Sequence, residues 1–89
     1  MSRILIVEDE QAIRRVLKKI LSEEDKYHEI IEAENGIEAL NLIKKNQLDL
    51  IISDIKMPKV DGIEVLAYVK KNNPDVPVIM ISGHGDLDL

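Results

Sequence analysis

Four short apolar runs, separated by stretches with helical periodicity, constrain the fold of this chain more than any other feature. The runs are residues 4–7, 28–33, 48–52 and 76–81, and each contains adjacent Ile, Leu or Val residues. Continuous apolar strands, in contrast to alternating ones, indicate burial on both faces of a parallel sheet. The order β-α-β-α-β-α-β, with short connections, therefore predicts an α/β fold built on one parallel sheet.

The intervening segments carry apolar stripes with the three- and four-residue spacing of helices laid on a sheet. The predicted stripes are Ile13, Val16, Leu17, Ile20 and Leu21; then Ala39, Leu40 and Ile43; then Ile63, Leu66, Ala67 and Val69. Asn35 and Asp61 each precede a glutamate by three residues, a spacing typical of helix N-terminal caps. The opposite, solvent-exposed side of the first helix is expected to consist of Arg14, Arg15, Lys18 and Lys19.

Composition excludes several classes of function. Lys and Arg total 12 against 17 Asp and Glu, a net charge of −5, which argues against a general nucleic-acid binder. The absence of cysteine removes disulfide frameworks, thiolate zinc sites and cysteine nucleophiles. Because no apolar run is long enough to span a bilayer and no leader precedes the first strand, we expect a soluble, cytoplasmic protein without membrane contact. Residues 1–89 are expected to form a single domain.

Polar side chains follow three of the predicted strands. Glu8 and Asp9 follow the first strand, Asp54 the third and Ser82 the fourth. Ligands of open α/β sheets bind at the carboxyl ends of the strands, and adjacent first and third strands would bring three carboxylates together. A hard divalent cation relieves such repulsion, and Mg²⁺ suits a site with few carboxylates and room for water and phosphate oxygens. The competing interpretation, favoured for Glu10, is that acids after a strand simply cap the next helix.

Several motifs are similar to one known family. They are residues 4–10 (ILIVEDE), 53–58 (SDIKMP), 61–62 (DG) and 77–83 (PVIMISG). The chain resembles, from Arg3 onwards, the receiver domain of two-component response regulators, which has the flavodoxin-like (CheY-like) fold. The segment Ser82–Asp86 is further similar to the nitrogen-regulatory (NtrC/NtrX-type) subfamily, whose receivers accompany sigma-54-type transcription activators.

The resemblance implies a regulatory phosphoacceptor and no enzyme beyond its own phosphorylation and dephosphorylation. Asp54 would take a phosphoryl group from a sensor histidine kinase and would also be a Mg²⁺ ligand. Asp9 would coordinate Mg²⁺ directly, Glu8 mostly through water, and the backbone carbonyl of Lys56 would complete the protein ligands. Ser82 would donate a hydrogen bond to the phosphoryl group and so report its presence.

Two further residues are expected to tune the lifetime of the phosphoryl group. Lys56 lies beside the site, although a solvated loop lysine is the simpler interpretation. His84 lies two residues after Ser82, where it would influence the access of the hydrolytic water.

The resemblance also implies that the chain stops where the family begins its fourth helix. We therefore expect a truncated receiver domain that lacks the fourth and fifth helices and the fifth strand, and that carries no output module. The strand at 76–81 would then be an apolar sheet edge protected only by Pro77. Such an edge favours a homo-oligomer or a swapped dimer through the fourth strand.

Two other hypotheses stay open. In the first, the chain is incompetent for phosphorylation and acts only as an interaction or dimerisation module through its open sheet edge. In the second, it is a Mg²⁺-dependent phosphatase of the haloacid-dehalogenase type, which also uses a strand-end aspartate. That class needs a second Asp two residues later, where this chain has Lys56, so the second hypothesis is disfavoured.

Overall fold

The computed structural model describes residues 2–24, 28–57 and 59–81, and in these residues strands and helices alternate as predicted. The elements are β1 (Arg3–Val7), α1 (Gln11–Glu24), β2 (Glu29–Ala33), α2 (Gly36–Lys45), β3 (Leu50–Asp54), α3 (Gly62–Asn72) and β4 (Val78–Ile81). Ser82 and His84 lie outside the described residues. The strand predicted from residue 76 begins at Val78, after Pro77, which has no N–H to donate to the sheet.

The strands form one parallel sheet in the order β2-β1-β3-β4, as the flavodoxin-like fold requires. Val7 at the end of β1 lies opposite Ala33 of β2 and Ser53 of β3. Asp54 at the end of β3 lies opposite Ile81 of β4. The carboxyl ends of the two central strands, β1 and β3, are therefore side by side, and the predicted fold class is confirmed.

One face of the sheet packs against α2 and α3 and forms the main core. The buried residues of this core are Leu5, Val7, Ala33, Ala39, Ile43, Leu48, Ile51, Met57, Val65 and Val69. The predicted stripe of α2 is confirmed at Ala39 and Ile43, which are buried in this core, whereas Leu40 is only half-buried.

The predicted stripe of α3 is mostly wrong. Ile63 is 55% exposed, and the buried side of the helix consists of Gly62, Val65 and Val69. Because residues 63–69 are apolar at every position except Glu64, their pattern does not select one face of the helix. The close approach of α3 to β3 at Gly62 determines which face turns inward.

The opposite face of the sheet, with Ile4, Ile6 and Ile52, is where α1 contacts β1. The predicted stripe of α1 covers this face only in part, because Val16 and Ile20 are 57% and 52% exposed. The expectation that Arg14 is solvent-exposed is wrong, since α1 buries this residue. Within the described ranges, no helix has the length and apolar character needed to cross a membrane.

Both predicted helix caps are present. The side chain of Asn35 accepts a hydrogen bond from the backbone N–H of Glu38 at 2.8 Å, and Asp61 accepts one from Glu64 at 3.1 Å. Each cap satisfies one of the N–H groups that a helix leaves unpaired in its first turn. The caps fix where α2 and α3 begin, after connections of two residues from β2 and seven residues from β3.

Candidate functional site

Three carboxylates meet at the carboxyl ends of β1 and β3. Glu8 and Asp9 directly follow β1, and Asp54 is the last residue of β3. Each of the three offers one carboxylate oxygen, and these oxygens all lie within 4.8 Å of one another. Glu8 and Asp54 are fully buried, whereas Asp9 is more open to solvent. The structure thus brings together the acidic residues that the strand ends predict.

Glu8 is held through its own backbone and by Glu10, the residue that precedes α1. Its N–H donates to the carbonyl of Ala33 at 3.0 Å, which extends the pairing of β1 and β2 by one residue. Its Oε2 accepts a hydrogen bond from the N–H of Glu10 at 2.8 Å. Its Oε1 is buried and accepts no hydrogen bond from the described residues. One oxygen of this buried carboxylate is therefore ready to accept a cation.

Burial shifts the protonation of Glu8. It raises the pKa of Glu8 from 4.5 to about 7, and the contact with Asp9 and the negative charges of Asp54 and Asp9 act in the same direction. The hydrogen bond from the Glu10 N–H opposes this shift. Near neutral pH the cluster therefore retains part of a proton that an exposed glutamate would release.

The backbone around Asp54 is fixed on both sides. Ile55 donates its N–H to the carbonyl of Ile81 at 3.0 Å, and Gly62 donates its N–H to the carbonyl of Ile55 at 2.8 Å. The hydroxyl of Ser53 donates to the carbonyl of Asp54 at 3.0 Å. Asp54 is thus anchored to β4 and to the start of α3, so its carboxylate stands on a rigid part of the sheet.

The donor set fits a hard divalent cation. Three carboxylates at this range repel one another by several kcal/mol of Coulomb energy at an effective dielectric constant of about 20. Mg²⁺ binds oxygen ligands, uses few carboxylates and retains several waters, which the open side of the cluster at Asp9 would accommodate. The buried and unsatisfied Oε1 of Glu8 is the observation that favours such an ion.

Among the other predicted site residues, only Lys56 lies within the described part of the chain. The side chain of Lys56, two residues after Asp54, is exposed, whereas the next residue, Met57, is buried in the core. Ser82 and His84 lie outside the described residues, so the roles expected for them stay predictions.

The site also includes Arg14, which the sequence pattern assigns to the solvent-exposed side of α1. Its Nη1 donates to the backbone carbonyl of Glu8 at 2.7 Å. A signal for this was present, because Arg14 precedes Leu17 and Leu21 by three and seven residues and so lies at the margin of the apolar stripe.

Comparison with known proteins shows that the chain is similar to members of one family. The family model described as "Response regulator receiver domain" matches residues 4–89. Sporulation initiation phosphotransferase F from Bacillus subtilis is 36% identical over 87 residues, which are 98% of this chain and 68% of that protein. The transcriptional regulatory protein DegU from Brevibacillus brevis is 37% identical over 84 residues, 94% of this chain. The chain therefore spans 36% of DegU, about a third of its length.

Solved structures with the same fold give the same family. Response regulator protein TrrA from Thermotoga maritima, in complex with Mg²⁺-BeF, is 43% identical with a TM-score of 0.85. The match covers 100% of this chain and 77% of TrrA. A chain in the crystal structure of the histidine kinase ThkA in complex with TrrA is 40% identical with a TM-score of 0.86, covering 100% of this chain and 75% of that one.

Proposed function

Because the chain belongs to the response regulator receiver domain family, we propose that Asp54 accepts a phosphoryl group from a sensor histidine kinase. The observation that supports this role is the convergence of Glu8, Asp9 and Asp54 within 4.8 Å at the ends of the two central strands. In this family the domain is a regulatory phosphoacceptor, and phosphorylation of Asp54 would be the event that changes the behaviour of an output module.

Asp54 would act as the nucleophile. One of its carboxylate oxygens would form a bond to phosphorus while the bond from phosphorus to the kinase histidine breaks, which leaves an acyl phosphate on Asp54. The departing imidazole would take up a proton from solvent on its other ring nitrogen, so charge and protons balance. The rigid backbone at Asp54 supports this role, because a fixed carboxylate needs little reorganisation to meet the incoming phosphorus.

Glu8 and Asp9 would hold a magnesium ion beside Asp54, with the backbone carbonyl of Lys56 as a further proposed ligand. When bound, Mg²⁺ supplies the positive charge that offsets repulsion between the carboxylate and the phosphoryl oxygens. Ser82 is proposed to donate a hydrogen bond to the phosphoryl group, and Lys56 and His84 to tune its lifetime. Relatives support the metal, since TrrA is described in complex with Mg²⁺-BeF.

The partners are proposed from the same relatives. TrrA is described in complex with a histidine kinase, and DegU is described as a transcriptional regulatory protein. We infer that this chain is one receiver domain, residues 1–89, that meets a sensor kinase in the cytoplasm and controls an output module, with transcription as the proposed output. The narrower assignment to the nitrogen-regulatory subfamily stays a prediction from the sequence of Ser82–Asp86.

Intact mass spectrometry tests the proposal directly. The protein is incubated with a small phosphoryl donor, acetyl phosphate, with and without Mg²⁺, beside the variants Asp54→Asn and Asp75→Asn. Asp75 is an exposed acid between α3 and β4, at the opposite end of the sheet, and serves as the matched control. We expect a Mg²⁺-dependent gain of one phosphoryl group in the parent and in Asp75→Asn. Equal labelling of Asp54→Asn would exclude Asp54 as the acceptor.

A second candidate function, as an interaction module, is supported by the position of β4. Within the described residues β4 is an edge of the sheet, and Ile79 on this strand is 50% exposed. An unpaired apolar edge is able to add a strand from a second copy of the chain, as a homo-oligomer or a swapped dimer. Light scattering over a hundredfold range of concentration tests this proposal. A monomer of constant mass would argue against it.

A further inference from the structure

α1 buries a charged residue beside the acidic cluster. The side chain of Arg14 is 9% exposed. Among the residues of α1, all of which the structure describes, Arg14 is the only buried one. Burying a guanidinium costs free energy unless charges and hydrogen bonds compensate for it. The burial of Arg14 must therefore be compensated by specific contacts, which a charged residue on a solvated helix surface does not need.

Two glutamates, one on β2 and one just after it, compensate the charge of Arg14. Its Nε donates to Oε1 of Glu32 on β2 at 3.3 Å, and its Nη2 lies 3.7 Å from Oε1 of Glu34, just after β2. Glu32 is also 3.4 Å from the ammonium of Lys18. Since these acids already neutralise the guanidinium, Arg14 contributes to the cluster mainly through geometry and only secondarily through charge.

The third contact of Arg14 reaches the cluster itself. Its Nη1 donates to the backbone carbonyl of Glu8 at 2.7 Å, which is short, as expected for a charge-assisted hydrogen bond. This carbonyl belongs to the peptide that joins Glu8 to Asp9. Because a peptide group is planar, restraining its oxygen also limits the positions that the nitrogen and the Cα of Asp9 can take.

We propose that Arg14 is a positioning residue for the divalent cation, holding the Glu8–Asp9 peptide so that both carboxylates face Asp54. The inference rests on the proposed function, since it assumes that the cluster binds Mg²⁺. The planar fork of Arg14 spans β2 on one side and the Glu8 carbonyl on the other, a geometry that a lysine ammonium does not reproduce. Groups that orient metal ligands without touching the ion typically change its affinity by about 10- to 100-fold.

Magnesium affinity, measured without any phosphoryl donor, tests this inference. Isothermal titration calorimetry with MgCl₂ compares the parent with Arg14→Lys and Arg14→Met at a temperature where each is folded. Arg15→Met removes an exposed arginine one position along α1 and is the matched control. We expect both Arg14 variants to bind Mg²⁺ about tenfold more weakly and the control to bind like the parent.

The outcomes separate a positioning role from a purely structural one. Lower stability of the Arg14 variants with Mg²⁺ affinity within twofold of the parent would overturn the inference. If both Arg14 variants fail to fold, Glu32→Gln decides, since it weakens the hold on the guanidinium and is expected to lower the affinity by a few-fold. Unchanged affinity in Glu32→Gln then overturns the inference. A parent that binds no Mg²⁺ would instead contradict the proposed function.

Discussion

Gly62 lies against the backbone carbonyl of Asp54 so closely that a Cβ atom at this position would overlap the carbonyl oxygen. It would also approach the carbonyl carbon of Asp54 to 2.9 Å and the Cα of Ile55 to 3.0 Å. All three atoms are backbone and have no flexible end that could move aside. The first residue of α3 is thus in direct contact with the segment that presents the proposed phosphoacceptor.

Replacement of Gly62 by alanine is expected to destabilise the protein and to disturb the acidic cluster. The added methyl group forces α3 away from β3, and overpacking of this kind costs about 1–3 kcal/mol in the free energy of unfolding. Urea denaturation measures the loss. Ile63→Ala, at the next and exposed position, is the control and is expected to change stability by less than about 0.5 kcal/mol.

Lys59 adopts a left-handed backbone conformation, with φ at 67°. For a residue with a Cβ atom this conformation costs roughly 1–2 kcal/mol, whereas glycine adopts it without strain. After allowance for the greater freedom of glycine in the unfolded chain, Lys59→Gly is expected to stabilise the protein by roughly 0.5–1 kcal/mol. Thermal denaturation measures the gain.

Replacement of a lysine by glycine is expected to lower the stability where the lysine lies in a helix. Lys19→Gly, at an exposed position in the middle of α1, should cost about 1 kcal/mol because glycine is a poor helix former. A destabilising effect of both substitutions would show that the conformation of Lys59 carries no strain.

The placement of Glu8, Asp9 and Asp54 could be predicted from the sequence because of a topological rule. Parallel strands end at the same edge of a sheet, so residues that follow buried strands in a β-α-β chain converge without any knowledge of side-chain contacts. The caps at Asn35 and Asp61 were equally accessible, since a cap depends only on residues within one helical turn.

The buried faces of the helices could not be predicted as well, for reasons that lie outside each helix. In α3 the buried face depends on the close approach of Gly62 to Asp54, and in α1 the burial of Arg14 depends on Glu8 and Glu32. Hydrophobic periodicity predicts that a charged side chain is exposed, because the pattern contains no information about partners on another strand. Ion pairs between elements distant in sequence are invisible to such a pattern.

The stability of the protein without divalent cations is expected to fall as the pH rises through the range in which Glu8 ionises. The pKa of Glu8 is raised from 4.5 to about 7, so between these values the folded protein holds a proton that the unfolded chain has released. Folding is therefore favoured at the acidic end of this window, and the contribution of Glu8 is lost as the pH approaches and passes 7.

The measurement is a series of urea denaturations between pH 5 and 8 in the presence of EDTA, with Glu8→Gln as the comparison. The difference in the free energy of unfolding between parent and variant isolates Glu8 from other titrating groups. We expect the parent to lose stability relative to Glu8→Gln as the pH rises, and the difference to become constant above pH 7. A difference that is independent of pH would contradict the raised pKa.

Asp54→Asn is expected to stabilise the protein when no divalent cation is present. At pH 8, where Glu8 is ionised, the substitution removes one of three negative charges whose oxygens lie within 4.8 Å of one another. Since unit charges at this range repel by a few kcal/mol at an effective dielectric constant of 20, a net gain of roughly 1 kcal/mol is expected after the loss of other contacts.

Mg²⁺ should reverse the order, because an ion bound to the folded parent stabilises it by mass action and the variant binds it weakly. Thermal denaturation in EDTA and in MgCl₂, with Asp75→Asn as the control, measures both effects. A variant that is less stable than the parent in EDTA would show that repulsion within the cluster does not limit the stability of this fold.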